Sequence, residues 1–115
     1  MKIDLNEIKE FLGCDDAFLT YLFGKFVQES GEGIGILKKA SVSGNWPLAK
    51  SAAHKMLSST RMFNFEELSL LLEEIESSVD EGKNTDEIPD KVDSIEGALK
   101  NAVGEMQALL RQSQP

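Results

Sequence analysis

The sequence predicts an all-α fold: an antiparallel up-down-up-down four-helix bundle with a short extra N-terminal helix. Apolar residues recur at intervals of three and four along nearly the whole chain, which is the spacing of one helix face, and no alternating pattern typical of a strand is sustained. Four of the predicted helices are long and have short connections, so neighbouring helices are expected to run antiparallel. At 115 residues, the chain predicts a single domain over residues 1–115 that buries one core.

The first two predicted helices are separated by a glycine. The short one spans about residues 5–12, where Asp4 and Glu7 have capping-box spacing and Gly13 provides a stop. The second spans about residues 16–41. Its glycines each cost up to about 1 kcal/mol relative to alanine in a helix interior. A kink or break within residues 31–35 therefore stands as an alternative to a continuous helix.

The third helix is expected from Trp46 to about Phe63. Asn45 is a favourable N-cap, and Pro47 falls in the first turn, where its missing N–H leaves no intrahelical bond unmade. When residues are placed at about 100° intervals around the helix, one set falls together as the core stripe. This stripe consists of Ala49, Ala52, Ala53, Met56, Thr60 and Phe63.

The fourth helix is expected from Phe65 to about Asp80, directly after the third. Asn64 tolerates the left-handed conformation that ends one helix, and it can cap the next helix together with Glu67. A polar loop follows. The fifth helix begins at residue 87 or 88 and extends to about residue 111, with apolar residues at intervals of three and four.

The composition excludes several classes of site and partner. One cysteine and one histidine exclude a multi-cysteine metal site, a disulfide framework and a paired-histidine di-metal bundle. The net charge of −8 argues against nucleic acid or an anionic membrane as a partner. The charged N-terminus is unlike a signal peptide, and no apolar run approaches a membrane span. With Cys14 free as well, we expect a cytoplasmic protein.

The single histidine, His54, is predicted to lie on a solvent face. It falls about 140° from Ala49 around the third helix, away from the core stripe. The residues predicted to surround it are Lys50, Ser51, Leu57, Ser58 and Arg61.

The charge pattern of this region is also distinctive. No acidic residue occurs within residues 33–65, although the chain holds 20 of them. The same window carries Lys38, Lys39, Lys50, Lys55 and Arg61. This predicts a locally basic face, suited to an anionic ligand or an acidic partner surface.

Residues 52–64 carry a motif, Ala52-Ala53-His54-Lys55-Met56-Leu57-Ser58-Ser59-Thr60-Arg61-Met62-Phe63-Asn64. It resembles the motif of the histidine-containing phosphotransfer (HPt) domain family, which is roughly A-H-x-L-K-G-x-x-x-x-apolar-G. The opening Ile3-Asp4-Leu5, the turn at residues 44–46 and the apolar helix after Asn64 also lie where the family has them. The resemblance therefore extends along the whole chain.

The resemblance implies a histidine phosphotransfer domain of a multistep, two-component phosphorelay. His54, by position, would accept a phosphoryl group from a receiver-domain aspartate and pass it to another receiver. Neutral imidazole suits this role because it is nucleophilic near pH 7. The partners would be response-regulator receiver domains and a hybrid sensor histidine kinase. The receiver would supply Mg²⁺, and this chain would bind no cofactor and act as a monomeric carrier rather than an independent enzyme.

The motif departs from the family at three positions. Leu57 replaces the usual Lys, Ser58 replaces the usual Gly, and Asn64 replaces the junction Gly. A cation beside the phosphoryl group would then come from Lys50, Lys55 or Arg61. The binding residues predicted around His54 are Lys50, Ser51, Lys55, Leu57, Ser58 and Arg61.

The sequence leaves open whether the domain is phosphorylated and what role three of its phenylalanines have. The missing Lys favours an alternative: an HPt-like helical adaptor that binds a receiver or another signalling protein without being phosphorylated. Phe11, Phe18 and Phe23 form either a docking patch or, as we expect, part of the core. The chain has no convincing catalytic carboxylate pair, metal cluster or nucleophile–base pair, which disfavours an independent enzyme.

Overall fold

The computed structural model describes residues 3–112, which form five α-helices and a short 3₁₀ turn, with no strand in this range. The helices are α1 (Leu5–Leu12), α2 (Asp16–Ser43), α3 (Trp46–Met62), α4 (Glu66–Glu81) and α5 (Ile88–Gln112), and the 3₁₀ turn is Thr85–Glu87. The all-α class is confirmed. Residues 1–2 and 113–115 of the predicted domain lie outside the described range.

Side-chain caps fix the starts of α1 and α3 as the sequence predicts. An Asp4 carboxylate oxygen accepts the Glu7 N–H at 3.2 Å, and the Asn45 side chain accepts the Leu48 N–H at 3.3 Å. Gly13 ends α1 with a φ of 65°, a left-handed conformation that glycine adopts without a Cβ penalty.

The junction between α3 and α4 is only partly as predicted. Asn64 adopts the left-handed conformation, with a φ of 59°. The cap of α4 is nevertheless Phe65, which makes no side-chain capping bond. The predicted cap formed by Asn64 with Glu67 is therefore wrong, because Asn64 lies one residue too early and an N-cap residue needs an extended rather than a left-handed backbone.

Helix α2 is continuous through its glycines, so the alternative of a break within residues 31–35 is wrong. Gly33 lies against α3, where an added Cβ would be 2.6 Å from Met56 Cγ and 2.8 Å from Met56 Sδ. Glycine at this position lets the two helices approach closely. The 28 residues of α2 extend about 42 Å at 1.5 Å per residue, most of the 49 Å length of the molecule.

The four long helices pack in a ring around one core: α2 contacts α3 and α5, and α4 contacts the same two helices. All six residues of the predicted α3 core stripe are buried. Near the α3–α4 junction the core is aromatic, and Phe26 lies 5.2 Å from Phe63 and 5.4 Å from Phe65 between ring centroids. Helix α1 lies beside this junction, where Ile8 joins the core.

The three phenylalanines of uncertain role divide between core and surface. Phe23 is buried, as expected, but Phe11 is 76% exposed and Phe18 is 51% exposed. The expectation of core is wrong for these two. Helix α1 has only eight residues and buries Ile8, while Phe18 stacks on the exposed Tyr21, with 6.1 Å between ring centroids.

Candidate functional site

His54 projects from the middle of α3, and its side chain is 75% exposed. The exposure predicted from the helical spacing is confirmed. An exposed imidazole on a regular helix is open to approach by another macromolecule, because none of the described loops and helices covers the ring.

Glu76 on α4 holds the ring at one nitrogen. Nδ1 of His54 lies 2.7 Å from Oε1 of Glu76, whose side chain is 17% exposed. A carboxylate only accepts hydrogen bonds, so Nδ1 carries the hydrogen and donates it. In the neutral ring this leaves Nε2 with its lone pair, and Nε2 has no hydrogen-bond partner within residues 3–112. The site therefore presents an accessible nucleophilic nitrogen.

Glu76 is not among the residues predicted around His54, from which it is separated by 22 residues in the sequence. The tight junction at residues 63–65 is the signal that could have found it. A short junction places α3 and α4 side by side, and residues at similar distances from the junction then face each other.

Carboxylates of α4 also pair with two cations of α3. Lys50 forms an ion pair with Asp80, and an Arg61 guanidinium nitrogen donates to a Glu73 carboxylate oxygen at 2.8 Å. The basic face predicted from the acid-free window is therefore neutralised at Lys50 and Arg61. The window covers only residues close in sequence, whereas the neutralising acids come from the next helix.

The pKa of Lys50 is raised from its ordinary value by this environment. The main cause is the hydrogen bond to Asp80, followed by the charge of the Asp80 carboxylate. Burial opposes the shift, and the more distant Glu76 carboxylate makes a smaller contribution that raises the pKa. Lys50 is therefore within electrostatic range of the group that holds His54.

The binding residues predicted around His54 differ in their exposure. Ser51, Lys55, Ser58 and Arg61 are exposed and Lys50 is partly buried. Leu57 is only 2% exposed, so its predicted place on the solvent face beside His54 is wrong. Leu57 lies about 60° from His54 around the helix, on the side against which α4 packs.

The exposed face of α3 around His54 has small polar residues at its centre and apolar residues at its ends. Ser51 and Ser58 lie about one turn on either side of His54, while Leu48 is 41% exposed and Met62 is 40% exposed. We call this surface, made of Leu48, Ser51, His54, Lys55, Ser58 and Met62, the His54 face. Small side chains beside the imidazole leave room for an approaching partner.

Within residues 3–112, no three His, Cys, Asp or Glu side chains are grouped so that they could hold a metal ion. None of the helices in this range has the length and apolarity needed to cross a membrane.

The family model of the Hpt domain matches residues 22–111, which cover all of α3 and α4 and nearly all of the bundle. The chain belongs to the Hpt domain family. Hpt domains are phosphotransfer modules of two-component systems and interact with response-regulator receiver domains. His54 and Glu76 both lie within the matched segment, whereas α1 and the first residues of α2 precede it. Neither the curated proteins nor the solved structures give a match.

Proposed function

We propose that this Hpt domain carries a phosphoryl group on Nε2 of His54 in a multistep phosphorelay. The group comes from an aspartyl phosphate on one receiver domain and passes to the aspartate of another. The observation that carries this proposal is the hydrogen bond from His54 Nδ1 to Glu76, because it leaves the exposed ring with its lone pair on Nε2.

The transfer needs no proton to leave the ring. The Nε2 lone pair forms a bond to phosphorus while the bond between phosphorus and the aspartate oxygen breaks, and the aspartate leaves as a carboxylate. The ring, protonated at Nδ1, gains positive charge, which the Glu76 carboxylate stabilises. The second transfer reverses these steps. The receiver supplies Mg²⁺, and this chain supplies the nucleophile and a docking surface.

We also propose the direction of the helices, the oligomeric state and the partners of the domain. The short connections between the four long helices favour alternating directions, up-down-up-down, which places His54 and Glu76 at the same height on adjacent helices. The domain acts as a monomeric cytoplasmic carrier, with a hybrid sensor histidine kinase upstream. The His54 face is the surface that a receiver contacts.

A second candidate function is a binding adaptor without phosphotransfer. Leu57 favours it, because the family motif has a Lys there and this chain has a buried leucine. An adaptor would keep the bundle and the His54 face but would not need a reactive histidine.

A phosphotransfer assay tests the proposal. Wild type and His54→Gln are incubated with several phosphorylated receiver domains, and this chain is assayed for acid-labile, alkali-stable phosphate. Circular dichroism establishes that both proteins are folded. Label on wild type alone is the expected result. Equal label on both would place the phosphoryl group elsewhere, whereas receiver binding without label on wild type would select the adaptor.

A further inference from the structure

A phosphoryl group on His54 would need a cation that this chain does not provide at the usual position. Phosphorylation of Nε2 adds a charge of about −1.5 to −2 to a ring whose other nitrogen, Nδ1, is already held by the Glu76 carboxylate. The buried Leu57 offers no charge. One of the cations near His54 therefore has to balance the added negative charge.

Lys50 has the best placement among them. It precedes His54 by one helical turn, and Asp80 follows Glu76 by one turn, so the ion pair Lys50–Asp80 lies next to the pair His54–Glu76. The side chains of Lys50 and Asp80 are 43% and 55% exposed, so both are free to change partners. A lysine side chain is long enough to span one turn of about 5.4 Å.

The other two cations are less well placed. Arg61 lies two turns from His54 in the opposite direction and is paired with Glu73. Lys55 is adjacent in sequence, but it lies about 100° around the helix from His54, so its side chain leaves α3 in a different direction.

We infer that Lys50 is the cation that contacts the phosphoryl group on His54, and that Asp80 holds Lys50 aside until that group is present. The inference rests on the proposed function of His54. A phosphoryl group carries more negative charge than a carboxylate, so Lys50 exchanges Asp80 for a phosphoryl oxygen after transfer. The ion pair Lys50–Asp80 thereby sets the lifetime and the rate of formation of the phosphohistidine.

The test uses phosphoramidate, a small donor that requires no partner protein. Nε2 forms a bond to phosphorus, the phosphorus–nitrogen bond of the donor breaks, and ammonia leaves. Lys50→Gln should slow labelling and shorten the phosphohistidine half-life, each by about two- to fivefold, the range for an exposed charge pair. Asp80→Asn should change both quantities in the opposite direction, and Lys50→Arg should stay close to wild type.

A matched ion pair provides the control. Lys38 and Glu96 form an exposed pair at 2.7 Å between α2 and α5, across the bundle from the α3–α4 pair. Lys38→Gln and Glu96→Gln should leave labelling and half-life unchanged.

The outcomes separate this inference from the proposed function. No label on wild type would overturn both. Label on wild type with unchanged rates in Lys50→Gln would overturn only the role of Lys50. Equal losses in Lys50→Gln and Asp80→Asn would also overturn it, because a purely structural ion pair responds in the same way to the loss of either partner.

Discussion

Nδ1 of His54 and Oε1 of Glu76 lie 2.7 Å apart, so an imidazole that is three-quarters exposed is nevertheless held at one nitrogen by the neighbouring helix. The carboxylate selects the ring tautomer with the hydrogen on Nδ1, and it restricts rotation of the ring. Both effects favour a nucleophile that has to attack a phosphorus atom in line, because the ring loses less orientational entropy in reaching the transition state.

Glu76→Gln should slow phosphorylation of His54 by about tenfold. A glutamine side chain both donates and accepts, so it no longer selects one tautomer, and it lacks the charge that stabilises the developing imidazolium. The measurement is the initial labelling rate, together with the imidazole ¹⁵N shifts that report the tautomer. Glu74→Gln is the control: Glu74 is also on α4, and it lies 3.8 Å from the Lys91 ammonium on α5. An unchanged tautomer and rate in Glu76→Gln would show that the hydrogen bond has no positioning role.

Gly33→Ala and Gly31→Ala should change stability in opposite directions. A Cβ at Gly33 would clash with Met56, which costs about 1–3 kcal/mol in a packed core. No atom lies within 4 Å of a Cβ built at Gly31, so alanine there should stabilise the helix by up to about 1 kcal/mol. Chemical denaturation of both variants measures the two changes. A smaller cost of Gly33→Ala in a Met56→Ala background would assign the clash to Met56, whereas equal costs in both backgrounds would exclude it.

Phe63→Ala should destabilise the bundle far more than Phe11→Ala. Phe63 is 2% exposed and lies against the rings of Phe23, Phe26 and Phe65, so its removal should cost about 3–5 kcal/mol. Phe11 is 76% exposed, and its truncation should change the free energy of unfolding by less than about 0.5 kcal/mol. Similar losses, measured by thermal or denaturant unfolding, would contradict the placement of Phe11 on the surface.

The sequence predicts the features of this fold that depend on local spacing. The exposure of His54, the core stripe of α3, the caps at Asp4 and Asn45 and the left-handed Asn64 all follow from positions within one helix or one turn. Each depends on helical periodicity or on the backbone preference of a single residue. These regularities do not require knowledge of how the helices pack.

The features of the site that were not predicted from the sequence depend on how the helices pack against one another. Leu57 is close to His54 around α3, but α4 covers it. Lys50 and Arg61 belong to a basic window in the sequence, but Asp80 and Glu73 neutralise them in the bundle. Glu76, the partner that fixes the imidazole, comes from the same helix. Periodicity within α3 gives the angle of each residue around the axis of α3. It contains no information on the side from which α4 packs against α3.

The contact between Gly33 and Met56 also constrains how sequences with this bundle can diverge. A larger residue at position 33 requires that position 56 loses volume, that the side chain at position 56 adopts another conformation, or that α2 moves away from α3. Such a movement would disturb the helix that carries His54. In a collection of related chains, the two positions should therefore vary together, and a small side chain at one should accompany a long side chain at the other.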